Sequence, residues 1–274
     1  MGLRRDTCAT NCITVLENAL QDPNGGIALP AAVLVEMVQG EGGVVPGDRD
    51  FVRRLRDLTR ELDVPLVVDE VQTGCGRTGT WFAFEHYGIE PDVIVASKAL
   101  SGIGQPVAVI MYDERLDVWT PGAHTGTFRG NQLAFAAGAK AVEIVRRDDV
   151  LGNVQAREAQ IRNRFGVLRT HPWVRDVRGV GLMWGIELAD PSTGRRATGL
   201  AARVQAEALR AGLILELGGR DDCVVRLLPP LNVTAEVVDI ACTIIVDALD
   251  ACAPDRPAVP APSSGSALGR AAVV

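Results

Sequence analysis

The sequence predicts an α/β protein in which a mostly parallel sheet is followed by a smaller α+β domain. Two observations predict it. In the first half, near-continuous apolar runs are separated by segments of helical period, the pattern of a parallel sheet covered on both faces. Past about residue 148 the texture changes, and short apolar runs joined at glycines take over.

Taken in order, Ile13 to Leu20 reads as helical, and Ala31 to Val38 is a β-rich apolar run. Asp48 to Leu62 has helical spacing through Phe51, Val52, Leu55, Leu58 and Leu62. Pro65 to Val68, Asp92 to Ala96 and Pro106 to Met111 read as strands. Asn131 to Arg147 and Val154 to Leu168 read as helices. Val174 to Val177 and Leu182 to Leu188 read as strands joined at Gly179 and Gly181. A helix over Leu200 to Arg210 stops at Gly212. Strands over Leu213 to Glu216 and Val224 to Leu228, and a helix over Thr234 to Leu249, complete the pattern. The expected division is 1–147, 148–252 and a Pro/Ala/Ser/Gly tail over 253–274 with too little to bury, hence disordered.

Composition narrows the function. A formal net charge of −6, with no basic stripe interleaved with aromatics, argues against nucleic acid as a partner. No apolar stretch reaches the roughly 18 residues of a membrane span. Arg4-Arg5 is not followed by the apolar segment of a secretory signal, so the chain reads as cytoplasmic. The 6 scattered cysteines then read as thiols, and Cys8 with Cys12 lacks a nearby second pair for a metal.

Of the 28 basic Lys and Arg residues, only Lys98 and Lys140 are lysine. Arginine stays protonated, whereas lysine can lose its proton and form a Schiff base. Lys98 follows the apolar run Val93-Ile94-Val95-Ala96 and precedes a glycine-bearing loop; Lys140 lies in a helical stretch and reads as solvated. Asp69 likewise ends the run Leu66-Val67-Val68. Ligands of open parallel sheets bind beyond the carboxyl ends of the strands, and an ordinary crossover puts both ends on one rim. A lysine and a carboxylate on one rim suit pyridoxal phosphate (PLP), the lysine taking the aldehyde and the carboxylate keeping the ring nitrogen protonated. Read singly, Asp69 is equally a capping residue at a strand end and Lys98 a surface lysine. Together, with lysine so scarce, they favour function.

The stretch Leu66-Val67-Val68-Asp69-Glu70-Val71-Gln72-Thr73-Gly74-Cys75-Gly76-Arg77-Thr78-Gly79, then Ser97-Lys98-Ala99, resembles the signature of the class III (ω-amino acid) aminotransferases. Glu36-Met37-Val38-Gln39-Gly40-Glu41-Gly42-Gly43, His124-Thr125-Gly126-Thr127-Phe128-Arg129-Gly130-Asn131 and Val225-Arg226-Leu227-Leu228-Pro229-Pro230 resemble three further segments of that family, in the same order. The match covers roughly Ala31 to Asp250, and its wording is most similar to the diaminobutyrate–2-oxoglutarate branch. The resemblance implies a fold type I PLP-dependent transferase. In it Lys98 is the Schiff-base lysine and proton shuttle, Asp69 pairs with the ring nitrogen, Gln72 bonds the phenolic oxygen and Val71 packs on the ring. Thr127 reaches the cofactor phosphate of a neighbouring subunit, which implies a homodimer with shared sites. Arg226 holds the α-carboxylate of 2-oxoglutarate or glutamate, and Glu41 pairs with Arg226 when an ω-amine is bound. Read without the resemblance, Arg226 is an edge residue facing water, Glu41 a loop carboxylate, and Thr127 an N-cap for the helix starting near Asn131.

Members of this family are usually much longer, and nothing before Ala31 resembles their phosphate-holding loop or the aromatic residue that stacks on the ring. The expectation is an incomplete large domain plus a small domain. Transamination of a terminal amino group, with L-2,4-diaminobutyrate as donor, is the implied activity. Two alternatives stand beside it. One is a non-catalytic remnant that associates with a full-length partner. The other is a P-loop ATPase fragment with Asp69-Glu70 as the acidic strand end, although neither lysine follows the required glycine loop.

Overall fold

The computed structural model describes residues 8–254. The tail expected over 253–274 lies almost wholly outside them. The elements are α1 (Cys8–Gln21), β1 (Val33–Glu36), β2 (Val38–Gln39), β3 (Val45–Pro46), α2 (Arg49–Glu61), β4 (Leu66–Asp69), β5 (Val93–Ala96), β6 (Val109–Tyr112), α3 (Gln132–Arg147), α4 (Val150–Arg164), β7 (Val174–Val180), β8 (Met183–Leu188), α5 (Thr198–Arg210), β9 (Glu216–Gly218), β10 (Val224–Leu227) and α6 (Ala235–Cys252). Among the described residues, no helix is long and apolar enough to cross a membrane.

The first sheet has the order β1-β4-β5-β6. The first three strands are parallel; β6 pairs antiparallel to β5, because an apolar run fixes a strand's burial and not its direction. α2 shows why one face closes. Asp48 caps it by accepting from the amides of Asp50 and Phe51 at 2.9 and 3.1 Å. Its Val52, Leu55 and Leu58 bury against Leu66 and Val68 of β4 and Ile13 of α1. Each such side chain stabilises the fold by about 1.5–3 kcal/mol.

The expected cover on the second face is not there among the described residues. Strand alternation sends Leu34, Val67, Val93 and Tyr112, one register row, to the other side, followed by Glu36, Asp69, Val95 and Ile110. On that side Leu34 is 66% exposed and Ile110 52%. Asp69 therefore stands on the open face.

One buried ion pair fixes the ends of β4 and β5. Asp92 accepts from Arg56 of α2 at 2.5 and 3.1 Å, from the Leu66 amide at 2.8 Å, and from Arg115 at 2.6 Å. Burial alone would raise the Asp92 carboxyl, but the hydrogen bonds from Arg56, Leu66 and Arg115 win and hold it far below the usual carboxylate range.

The second sheet, ordered β7-β8-β10-β9, is antiparallel throughout. α4, α5 and α6 cover one face, burying Val177, Trp184, Ile186, Val225 and Leu227 among Ile161, Val204 and Ile245. Alternation places Arg178, Gly185, Arg226 and Glu216 side by side on the opposite face. The strand expected at 213–216 forms instead at Glu216–Gly218. The Leu213 amide is spent closing α5, on the Ala208 carbonyl at 2.8 Å. α4 begins at Val150 instead of Val154, and Phe165–Thr170 tightens to a 3-10 turn. Burial pushes the Cys242 thiol up to about 11, which makes it a packing residue.

Arg77 ties the two sheets together. Its guanidinium donates to the Leu182 carbonyl at 3.2 Å and the Pro229 carbonyl at 2.5 Å. Burial among carbonyls lowers it to about 10.

Candidate functional site

β1, β4 and β5 end at one edge of the first sheet, and the chain after each supplies polar side chains there. Beyond β1, Gly40 to Val44 form a tight turn, with the Gly43 and Val44 amides donating to the Gly40 carbonyl at 3.1 and 3.2 Å. Glu36 anchors the turn by accepting from the Gly40 amide at 2.8 Å. Beyond β4, Asp69 accepts from the Val71 amide at 2.9 Å, and Gln72 follows. Beyond β5, Lys98 opens a 3-10 turn with φ +40°, a left-handed conformation that costs a non-glycine residue about 1 kcal/mol. Asp69 pairs in register with Val95, three residues before Lys98.

From the other sheet, Arg226 reaches this edge. Glu41 and Gln72 meet it there. Arg226 Nη1 lies 3.0 Å from Glu41 Oε2, Arg226 Nη2 donates to Gln72 Oε1 at 3.1 Å, and Gln72 Nε2 donates to Glu41 Oε1 at 3.3 Å. Glu216 stands 3.6 Å from Arg226 Nη1. Arg226 is only 2% exposed, so the edge position facing water is excluded; its Nε is buried without a hydrogen-bond partner. The Gln72 hydrogen bond lowers the Glu41 carboxyl below its ordinary value; desolvation opposes it, and Arg226 and, more weakly, the Lys98 ammonium add to it. A Cβ on Gly40 would sit 2.0 Å from Gln72 Oε1 and would displace that amide from the cluster.

Not every candidate joins this group. Val71 is half-buried at the same strand end. Thr127 lies elsewhere, exposed in an open groove of about 1330 Å³ between β6 and the 117–131 loop, together with Ser97, Ile110 and Tyr112. The cap of α3 is Asn131, which accepts from the amides of Leu133 and Ala134 at 3.0 and 3.3 Å; Thr127 is not the cap. Glu70, next to Asp69, is buried and faces inward, accepting from the Phe84 amide at 3.0 Å. Burial raises its carboxyl, and its hydrogen bonds only partly oppose that. The sequence reading missed Glu216, Glu36 and Arg178. Glu216 meets Arg226 through sheet register, Arg178 meets a turn 135 positions away, and Glu36 holds the Gly40 amide four residues on.

The arrangement offers a primary amine, a carboxylate on an adjacent strand, a neutral amide, and a buried guanidinium masked by a mobile-length carboxylate side chain. Such a set can take an aldehyde, a protonated ring nitrogen and a substrate carboxylate.

The class III aminotransferase family model matches residues 5–249. The chain belongs to the class III aminotransferases and has their fold type I architecture, mixed α/β with a mostly parallel first sheet. It is 48% identical over 239 residues to the diaminobutyrate–2-oxoglutarate aminotransferase of Rhizobium meliloti, covering 84% of this chain and 51% of that one. It is 43% identical over 225 residues to the Haemophilus influenzae enzyme of the same name, covering 79% and 49%. A solved ornithine aminotransferase of Toxoplasma gondii, described with partial occupancy of PLP at its active site, superposes with a TM-score of 0.78 at 32% identity, over 88% of this chain and 55% of that one. The chain spans about half the length of the curated relatives it matches. The ATPase alternative is overturned by the family match.

Proposed function

We propose that this chain carries the catalytic rim of a PLP-dependent aminotransferase that moves a terminal amino group between L-2,4-diaminobutyrate and 2-oxoglutarate. The observation that supports it most is that Asp69 ends, and Lys98 follows, adjacent parallel strands at the sheet edge where Glu41, Gln72 and Arg226 meet. The residues fit the ring of the cofactor. Among the described residues no carboxylate is within ion-pair distance of Lys98, and Asp69 has a carboxylate oxygen engaged only by a backbone amide. Bound there, PLP supplies an electron sink for the carbon that carries the amino group. Lys98 then holds the aldehyde and moves the proton. Asp69 holds the ring nitrogen's proton, Gln72 bonds the phenolic oxygen, and Val71 packs on the ring. Arg226 binds the α-carboxylate of the 2-oxo acid, and Glu41 covers Arg226 when the distal amine of the donor reacts. Thr127, outside the Glu41–Gln72–Arg226 cluster of its own chain, serves the phosphate of a second copy, so the working unit is a homodimer. Residues 1–147 belong to the PLP-binding domain and 148–252 to the small domain.

The test is to add PLP to the full 274-residue chain, reduce with borohydride, and map the modified residue. Label at Lys98 is expected; label shared equally with Lys140, which is paired with Glu143 at 2.7 Å, sinks the reading. A second expectation concerns Arg226→Ala. Truncating a buried, hydrogen-bonded charge costs about 2–5 kcal/mol, so kcat/KM for 2-oxoglutarate should fall by about 30- to 4,000-fold. The amine-donor half-reaction should change far less.

The uncovered face bearing Leu34 and Ile110 favours a second reading, a non-catalytic chain that associates with a full-length partner. Co-purification with such a partner, without cofactor absorbance of its own, distinguishes it.

A further inference from the structure

The turn that carries Glu41 is held from both sides by arginines of one register row. Arg178, Gly185 and Arg226 lie side by side on β7, β8 and β10. The middle position has no side chain, and the turn fills the gap. A Cβ on Gly185 would come within 2.9 Å of the Gly43 carbonyl oxygen. On one side Arg226 meets the Glu41 carboxylate at 3.0 Å. On the other, Arg178 grips the backbone. Its Nε donates to the Gly43 and Val44 carbonyls at 3.0 and 2.9 Å, and its Nη2 to the Gly43 carbonyl at 2.8 Å. Arg178 Nη1 is fixed in turn by Glu187 at 2.7 Å and Asp176 at 3.0 Å.

The backbone so gripped is strained. Val44 has φ +55°, in a region that a β-branched residue avoids. Such a conformation persists only where its surroundings over-determine it. Two carbonyls held by a charged fork supply that constraint, together with the Gly219 amide donating to the Glu41 carbonyl at 2.9 Å.

We infer that Arg178 is a positioning residue for substrate selection: it presents Glu41 to Arg226, and without its fork Glu41 no longer masks that guanidinium. The inference rests on the roles proposed above for Glu41 and Arg226. Arg178 touches neither substrate nor cofactor and acts through the turn.

The test uses Arg178→Lys in the full chain, with Arg178→Ala beside it. Lysine keeps the charge facing Glu187 but, as a point donor, loses the planar fork. The first readout is the Glu41 carboxyl titration followed by NMR, which requires no bound cofactor. Loosened from Gln72 and Arg226, Glu41 should titrate at higher pH in both variants than in the parent chain. The second readout is kinetic. KM for the diamine donor should rise about tenfold, the equivalent of one lost charge-assisted contact, while kcat and the KM for 2-oxoglutarate hold within about twofold. If Arg178→Ala does not fold, Arg178→Lys carries both readouts. A folded Arg178→Lys chain with an unmoved Glu41 titration overturns the inference, as does an equal rise in both KM values. A parent chain without transaminase activity counts against the proposed function, and the titration still decides the role of Arg178.

Discussion

A chain with Lys98 replaced by glycine should retain its fold and lose its chemistry. Lys98 sits at φ +40°, where glycine is unstrained, so the substitution should leave stability unchanged or raise it by up to about 1 kcal/mol. Under the proposed function the same change removes both the amine that holds the aldehyde and the group that moves the proton. General acid–base transfer alone contributes about 10²- to 10⁴-fold, so loss of transamination should be on the order of 10⁴-fold or more. Lys98→Ala should match it in activity without the gain in stability. Thermal unfolding and single-turnover assays on the three chains measure the two effects separately. Measurable turnover in Lys98→Gly above about one hundredth of the parent rate would exclude Lys98 as the reacting amine. A strained backbone retained at the residue proposed to react is the signature expected where function opposes stability.

Replacing Asp92 with asparagine should produce the largest loss of stability in the first sheet. Asp92 and Arg56 have side chains only 6% and 8% exposed, and the substitution leaves the Arg56 cation buried without its counter-charge. Breaking one partner of a buried pair costs about 3–5 kcal/mol. Arg115, 45% exposed, contributes little to that sum, and Arg115→Ala should unfold close to the parent chain. The folded Asp92 carboxyl lies below its unfolded value of about 3.9, so its contribution is present above about pH 4 and declines as pH falls toward the folded value. Urea unfolding at pH 7 and pH 3 should therefore show a large gap between parent and Asp92→Asn at neutral pH and a narrower one in acid. A gap that is the same at both would show that shape, not charge, fixes this corner.

Much of this architecture is legible along the chain because the signals are local. Asp48 before the spaced Val52, Leu55 and Leu58 announces α2, and the terminal Asp69 and Lys98 of two apolar runs announce a rim. What escapes is set by distant partners. Arg226 read alone belongs on a wet edge; it is buried because Glu41, 185 positions away, arrives from the other sheet. The reversed direction of β6 has no mark in its apolar run, and Leu213 to Leu215 looks like a strand until α5 claims the Leu213 amide. The open face behind Leu34 is equally silent, because an apolar residue awaiting cover reads the same as one already covered.

The Glu41 turn is wedged between two arginines of the second sheet while its ends remain fastened to the first. The two halves are thus geared through a charge. Any rocking of the second sheet drags the Gly43 and Val44 carbonyls along with Arg178, and carries the Glu41 carboxylate, together with Arg226, relative to Asp69 and Gln72 on the first. Motion of the scaffold and switching of the electrostatic environment would then be one event, and slowing the first should slow the second.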